Sequence, residues 1–228
     1  MTDTPEPLKA AAGKGPMPPH VQLTDVLGDE DREQLLEWAI ASQAKFKPAK
    51  VYKHAGDDGS RLDPEQRTAL KLRDFGPLTT GLQQALLARL PEIMAGTGYR
   101  GPAPQSLELE LNAYGDGGHF GQHIDVSTGP GRRPLGEHPG EDRVLSAVYY
   151  FYKEPKAFSG GALKLFRFGA YRDNVEEGDV IAYEPRQNSL VAFPSWVTHE
   201  VDMVRCPRGR FEDYRFALNC WFCRTIGG

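Results

Sequence analysis

The chain has 228 residues, of which 39% are hydrophobic, with 27 basic and 31 acidic side chains and a formal net charge of -4. That length and apolar content support one large domain with a substantial interior, while the lack of a basic excess gives a nucleic-acid partner no support from bulk electrostatics. No run of about 20 apolar residues offers to span a bilayer, and three cysteines, Cys206, Cys220 and Cys223, argue for a reducing compartment over a secreted disulfide scaffold.

Residues 1–20 are rich in Pro, Ala, Gly and Lys and lack the charged and apolar pattern of a secretory signal, so composition predicts a disordered tail on a soluble, cytoplasmic protein. From Val21, VQLTDVL alternates like a short strand. GDEDREQLLEWAIASQA then places acidic residues at a helix start and Leu35, Leu36, Ala39 and Ile40 at helical spacing, which predicts a helix near 30–44. A polar, turn-rich stretch follows, in which VYK reads as an edge strand and His54 faces solvent. A second helix is expected from Pro77, with Leu78, Leu82, Leu86 and Leu90 on one stripe, ended by Pro91 and Gly96.

Beyond Gly98 the helical signal gives way to short strands between Gly and Pro turns: SLELELNAY, RVLSAVYYFY, GALKLFRF, DVIAYEPRQ, SLVAFP, VTHEVDMV and YRFALNCWF. Helices followed by about seven strands indicate an α+β domain whose sandwich is of jelly-roll or barrel type. The expected organisation is one domain over 21–228, with helical support over 21–97 and a strand-rich core over 98–225. The long connection 126–142 reads as either a functional lid or a disordered loop, with His138, Arg132 and Arg133 solvated.

That connection starts beside GGHFGQHIDVSTG. In a strand, residues two apart point the same way about 6.6 Å apart, so His123 and Asp125 can converge on one ion while Ile124 enters the opposite layer. A third ligand must come from elsewhere, and His199 in FPSWVTHEVDMV is the candidate. Two imidazoles and a carboxylate make a facial triad suited to non-haem Fe(II), because three coordination positions stay open. A bidentate 2-oxo acid and dioxygen fill three positions, and the acid's far carboxylate then needs a cation. Arg215 meets that need: on YRFALNCWF it alternates with Ala217, Asn219 and Trp221 on one face, with Phe216, Leu218, Cys220 and Phe222 on the other, under the helices. His119 shares strand parity with His123, but flanking glycines are expected to break the strand there, which leaves it a loop or substrate-facing role. Cys220 and Cys223 form a CxxC without a second pair, and their odd spacing puts them on opposite faces, so both are read as packing residues.

Together, HID at 123–125, FPSWVTHEV leading to His199, RFALNCWF from Arg215 and SGGALKLF at 159–166 resemble the prolyl 4-hydroxylase-like branch of the 2-oxoglutarate and Fe(II)-dependent dioxygenases. The resemblance implies a double-stranded β-helix, a jelly-roll core carrying Fe(II) on His123, Asp125 and His199, with Arg215 on the co-substrate's distal carboxylate. It also implies tyrosines near 2-oxoglutarate at Tyr114 and Tyr150, and a one-residue register change would put Tyr149 in place of Tyr150. In the family's pattern the basic residue follows the distal histidine by fewer positions than the sixteen seen here. RCPRGRFEDY is therefore read as an inserted turn, with Arg208 as the next choice. The implied activity uses Fe(II), 2-oxoglutarate and O2, with ascorbate a candidate stimulant, to hydroxylate an unactivated C–H bond. A prolyl residue of a peptide or protein is the leading substrate, with a small molecule or free amino acid as the alternative. A jelly-roll protein holding metal without 2-oxoglutarate is the competing class, and neither a nucleic-acid nor a membrane partner is expected.

Overall fold

A computed structural model describes residues 14–52, 60–126 and 140–225. The first half supplies three helices and six short strands. After β1 (Val21–Thr24), α1 (Asp29–Ala41) begins with Asp29, Glu30 and Asp31, whose charges complement the positive end of the helix dipole, and it buries Leu35 and Ala39. Five short strands follow: β2 (Lys47–Pro48), β3 (Val51–Tyr52), β4 (Ser60–Arg61), β5 (Arg67–Thr68) and β6 (Leu70–Leu72). His54 lies outside the described residues.

The single helix expected from Pro77 is divided. A 3-10 turn, Gly76–Leu78, leads into α2 (Thr79–Ala88), and Pro91 opens α3 (Leu90–Thr97) instead of ending its predecessor. Proline is tolerated there because first-turn N–H groups have no intrahelical acceptor to lose. Gly98, at φ +64, terminates α3. Gly96 serves packing: a Cβ there would lie 2.5 Å from the Val21 side chain, so its absence lets α3 approach β1. Among the described residues no helix is long and apolar enough to cross a membrane.

The second half is built of β7 (Ser106–Tyr114), β8 (His119–His123), β9 (Glu141–Phe151), β10 (Ser159–Gly160), β11 (Leu163–Phe166), β12 (Val180–Tyr183), β13 (Ser189–Pro194), β14 (His199–Val201), β15 (Val204–Arg205) and β16 (Arg215–Thr225). A seven-stranded sheet in the order β1-β13-β9-β16-β7-β6-β2 faces a five-stranded sheet in the order β12-β11-β14-β8-β5, giving an α+β double-stranded β-helix. Strand alternation divides the apolar side chains into two cores. Leu107, Leu109, Leu111, Phe216, Leu218 and Phe222 point outward from the large sheet onto α1–α3. Tyr150, Val191, Phe193, Ala217, Leu163 and Leu165 fill the space between the sheets.

Residues 14–20 are assigned to the tail by composition, yet they cross the end of this barrel. Gly15 N–H donates to Phe168 O at 2.9 Å, Phe168 N–H donates to Pro16 O at 3.2 Å, and Lys14 pairs with Asp179 and Glu176. The segment has little to bury of its own; its partners come from the 167–179 connection, which local composition does not register. Of the 126–142 connection, 127–139 with Arg132, Arg133 and His138 lies outside the described residues.

Candidate functional site

β8 and β14 are antiparallel neighbours in the small sheet, and their register sets His123 opposite His199. Asp125 follows one strand period after His123, and its N–H donates to Ser195 O at 2.9 Å. One ligand atom from each of His123, Asp125 and His199 falls within 4.8 Å of the others. His123 Nε2 is 3.8 Å from Asp125 Oδ1, and His199 Nε2 is 3.6 Å from Asp125 Oδ2. The two Nδ1 atoms face backbone carbonyls, at 2.9 Å from Gly121 O and 2.8 Å from Val197 O. With Nδ1–H donating to those carbonyls, both rings keep Nε2 as the free lone pair a metal requires.

The electrostatics favour the ligating protonation states. Burial, then the charge of His199, push the His123 imidazole down to about 3, so it is neutral at physiological pH. Burial works to raise the Asp125 carboxyl, but His199, His123, Arg143 and a hydrogen bond from Ser146 outweigh it and hold it down to about 2. Ser146 Oγ donates to Asp125 Oδ2 at 2.7 Å and lies 2.9 Å from Ser195 Oγ, which fixes the carboxylate plane.

Between the sheets, Arg215 is fully buried. Its Nε donates to Gly161 O at 2.8 Å, while Nη1 and Nη2 have no hydrogen-bond partner, nor has the buried Tyr150 hydroxyl. The guanidinium carbon sits 4.8 Å from the Tyr114 ring centre and 5.1 Å from that of Tyr150. Tyr114 is its cross-strand partner on β7, and Tyr150 is that of Ala217 on β9. A buried guanidinium with two unused donors costs on the order of 3–5 kcal/mol unless an anion meets it. The donor set here, two parallel N–H groups and a phenol among apolar walls, fits a carboxylate. A two-histidine, one-carboxylate cluster and this buried guanidinium therefore suit Fe(II) and a dicarboxylic 2-oxo acid.

The alternatives separate cleanly. Tyr149 points to the outer core, where its hydroxyl donates to Asn188 Oδ1 at 3.0 Å. Arg208 is exposed, and Arg210 is half in solvent, bonded to Asp213. RCPRGRFEDY contains a turn and the 3-10 helix Phe211–Asp213, which leads into β16. His119 starts β8, which stays one strand through Gly121 although its pairing with β14 shifts register between Phe120 and His123; the His119 nitrogens face Gly117 O and Glu65 O, and four residues of strand, about 13 Å, separate it from His123. Cys220 packs in the outer core and Cys223 meets Glu108 on the opposite face, with burial pushing both thiols up.

Sequence patterning singles out neither Ser146, Ser195 and Gly161 nor the charges on the inner face of β7. For Ser146 one signal exists: a small polar residue at the barrel-facing parity of Val148 and Tyr150.

Comparison with known proteins adds an independent line. Residues 109–223 match a family model described as the 2OG-Fe(II) oxygenase superfamily. The chain is 26% identical over 212 residues to an uncharacterized PKHD-type hydroxylase of Synechocystis sp.; the match covers 90% of this chain and 63% of that protein, so the chain spans less than two thirds of the relative's length. Among solved structures, a Pseudomonas putida prolyl-4-hydroxylase is 21% identical with a TM-score of 0.59, covering 90% of this chain and 93% of that one. A prolyl hydroxylase of Trichoplax adhaerens, in complex with a hypoxia inducible factor oxygen degradation domain peptide fragment, is 15% identical with a TM-score of 0.61, covering 90% and 83%.

Proposed function

The chain belongs to the 2OG-Fe(II) oxygenase superfamily, and on that premise we propose that it is a 2-oxoglutarate- and Fe(II)-dependent dioxygenase that hydroxylates a prolyl residue in a peptide or protein. One observation carries the reading: a His-Asp-His cluster and a buried guanidinium with two unmet donors occur in the same barrel. A jelly-roll protein that held a metal alone would leave that guanidinium without a counter-charge.

In this reading His123, Asp125 and His199 hold the ion from one side and leave the other open. Bound there, Fe(II) with 2-oxoglutarate and O2 supplies an oxidation in which decarboxylation of the oxo acid is coupled to hydroxylation of a C–H bond. The protein's own work is positional. Ser146 keeps the Asp125 carboxylate from rotating, and the Nδ1 contacts of the two histidines set their ring planes. Arg215 takes the distal carboxylate in a fork, with the Tyr150 hydroxyl as a further donor. Leu163, Leu165, Val191 and Val204 are buried in the same core and exclude water around the aliphatic part of the co-substrate. Prolyl-peptide specificity draws on the names of the solved relatives, one of them complexed with a peptide.

The test is mass spectrometry of proline-containing peptides after incubation with Fe(II), 2-oxoglutarate and air, alongside succinate release. Addition of one oxygen to proline, dependent on 2-oxoglutarate, is expected. Succinate release with no peptide product would redirect the substrate to a small molecule or free amino acid. Arg215→Gln should raise KM for 2-oxoglutarate on the order of 100-fold, the loss of one buried charge-assisted pair; an unchanged KM would remove Arg215 from the role.

A further inference from the structure

Residues three apart in a regular strand point to opposite faces, yet the Phe120 ring stacks on the His123 imidazole, with ring centres 3.5 Å apart and planes 15° from parallel. The strand register accounts for this. β8 passes through three residues from Phe120 to His123 where β14 passes through two, from Val201 to His199. The extra residue is a bulge in β8, an irregularity that re-aims a side chain beside the triad. Gln66 ties the bulge in place: its carbonyl accepts Gly121 N–H at 2.7 Å, and its Nε2 donates to Gln122 O at 3.3 Å.

Phe120 is itself held. Arg67 is its cross-strand partner on β5 and so shares its face. The guanidinium carbon lies 4.5 Å over the Phe120 ring, where the negative aromatic face attracts a cation. The guanidinium is anchored in the opposite sheet, with Nη2 3.2 Å from Glu110 Oε1 and donating to Asn112 Oδ1, both on β7. Contacts therefore run without a break from β7 through Arg67 and Phe120 to a triad ligand.

The two histidines need different support. His199 has a side chain 5% exposed, sits on β14 between β11 and β8, and is walled by the Phe193 ring 4.7 Å away. His123 ends β8, stands next to the register shift, and has a side chain 18% exposed. Its Nδ1 contact with Gly121 O fixes one ring nitrogen but leaves the ring free to tilt about that contact. A flat partner against the ring face removes that freedom.

We propose that Phe120 is a positioning residue for the metal: it holds the plane of the His123 imidazole so that Nε2 faces the point shared with Asp125 and His199, and Arg67 braces it there. The proposal rests on the reading of His123, Asp125 and His199 as a divalent-metal triad and concerns metal affinity and geometry rather than turnover.

The experiment compares the full chain with its Phe120→Tyr, Phe120→Leu and Arg67→Lys variants, titrated with Mn(II) by calorimetry and with Co(II) by visible absorption. Phe120→Tyr keeps the ring and should bind Mn(II) within about twofold of the unaltered chain, with the same Co(II) spectrum. Phe120→Leu keeps an apolar side chain without a plane; it should raise the Mn(II) Kd on the order of tenfold, the effect of losing a group that orients a metal ligand, and shift the Co(II) d–d bands. Arg67→Lys keeps a positive charge beside Glu110 but not the flat guanidinium, and should raise that Kd roughly threefold. Urea unfolding of the metal-free variants supplies the contrast with a merely structural role. A Phe120→Leu chain that loses stability yet keeps its Mn(II) affinity and Co(II) bands overturns the proposal, as does an equal loss of affinity in Phe120→Tyr and Phe120→Leu. Should Phe120→Leu not fold, Phe120→Met takes its place in the same comparison. Failure of the triad reading looks different: the unaltered chain would bind no Mn(II), and the proposal would fall with it. Failure of the dioxygenase reading alone is seen as normal Mn(II) binding without succinate release from 2-oxoglutarate and Fe(II).

Discussion

At Gly161 the backbone sits at φ +73, a region that L side chains rarely adopt, and a Cβ there would lie 2.5 Å from Arg215 Cδ. The residue is glycine on two independent grounds, and its carbonyl is also the acceptor that orients the Arg215 Nε. Gly161→Ala should therefore displace the guanidinium and raise KM for 2-oxoglutarate by about tenfold or more, while Mn(II) affinity, measured by calorimetry, stays within twofold. Loss of both affinities together would point to general disruption, and loss of neither would detach Gly161 from the co-substrate pocket. The paired candidates also differ in place: Tyr150, not Tyr149, lies beside Arg215, and Arg208 is exposed.

At the scale of elements, β16 joins the two halves of the molecule. Its outward residues Phe216, Leu218, Cys220 and Phe222 meet the helices, and its inward residues Arg215, Ala217 and Trp221 line the barrel, so a slip of one position would bury the wrong set on both faces. The helices hold that sheet from behind. Leu86 of α2 is fully buried among their side chains, and Leu86→Ala should cost about 2–5 kcal/mol by lost transfer energy and the cavity left behind. Urea unfolding would measure it. A loss below about 1 kcal/mol would mean that α2 contributes little to the outer core. The same stripe of leucines misplaces the end of its helix, because proline breaks a helix interior but suits a first turn, and the surrounding sequence of Pro91 does not distinguish the two.

For the molecule as a whole, Glu110 couples pH to stability. Burial alone would raise its carboxyl, but Arg67, Lys71 and Arg73 outweigh it and the result lies below the ordinary 4.5. A carboxylate depressed in the folded state adds stability that is complete above the unfolded value and is lost as pH falls through the folded one. Glu110→Gln should thus lower stability at neutral pH and flatten the decline below about pH 4.5; a variant whose unfolding midpoint falls with acid as steeply as that of the unaltered chain would reject the coupling. This cluster was not legible in the sequence, since Arg67, Lys71, Glu110 and Arg143 lie on four different strands, with Arg73 just past the end of β6, and they meet only when β6 pairs with β7 in the large sheet and β5 joins the small one. The hold of residues 14–20 on Phe168 was hidden for the same reason.

What the sequence determined by itself was whatever repeats with a local period: strand alternation, which pairs His123 with Asp125 and places Arg215 on the barrel side, and helical spacing, which marks the leucine stripes. The order of its motifs extended that reach to His199, 74 positions beyond Asp125. The tertiary structure decided which distant strands became neighbours, and so which charges meet beside the triad, why Gly161 admits no side chain and what holds the Asp125 carboxylate still. Those properties depend on distances across sheets, which follow from the packing of the whole chain and leave no periodic trace in any one segment.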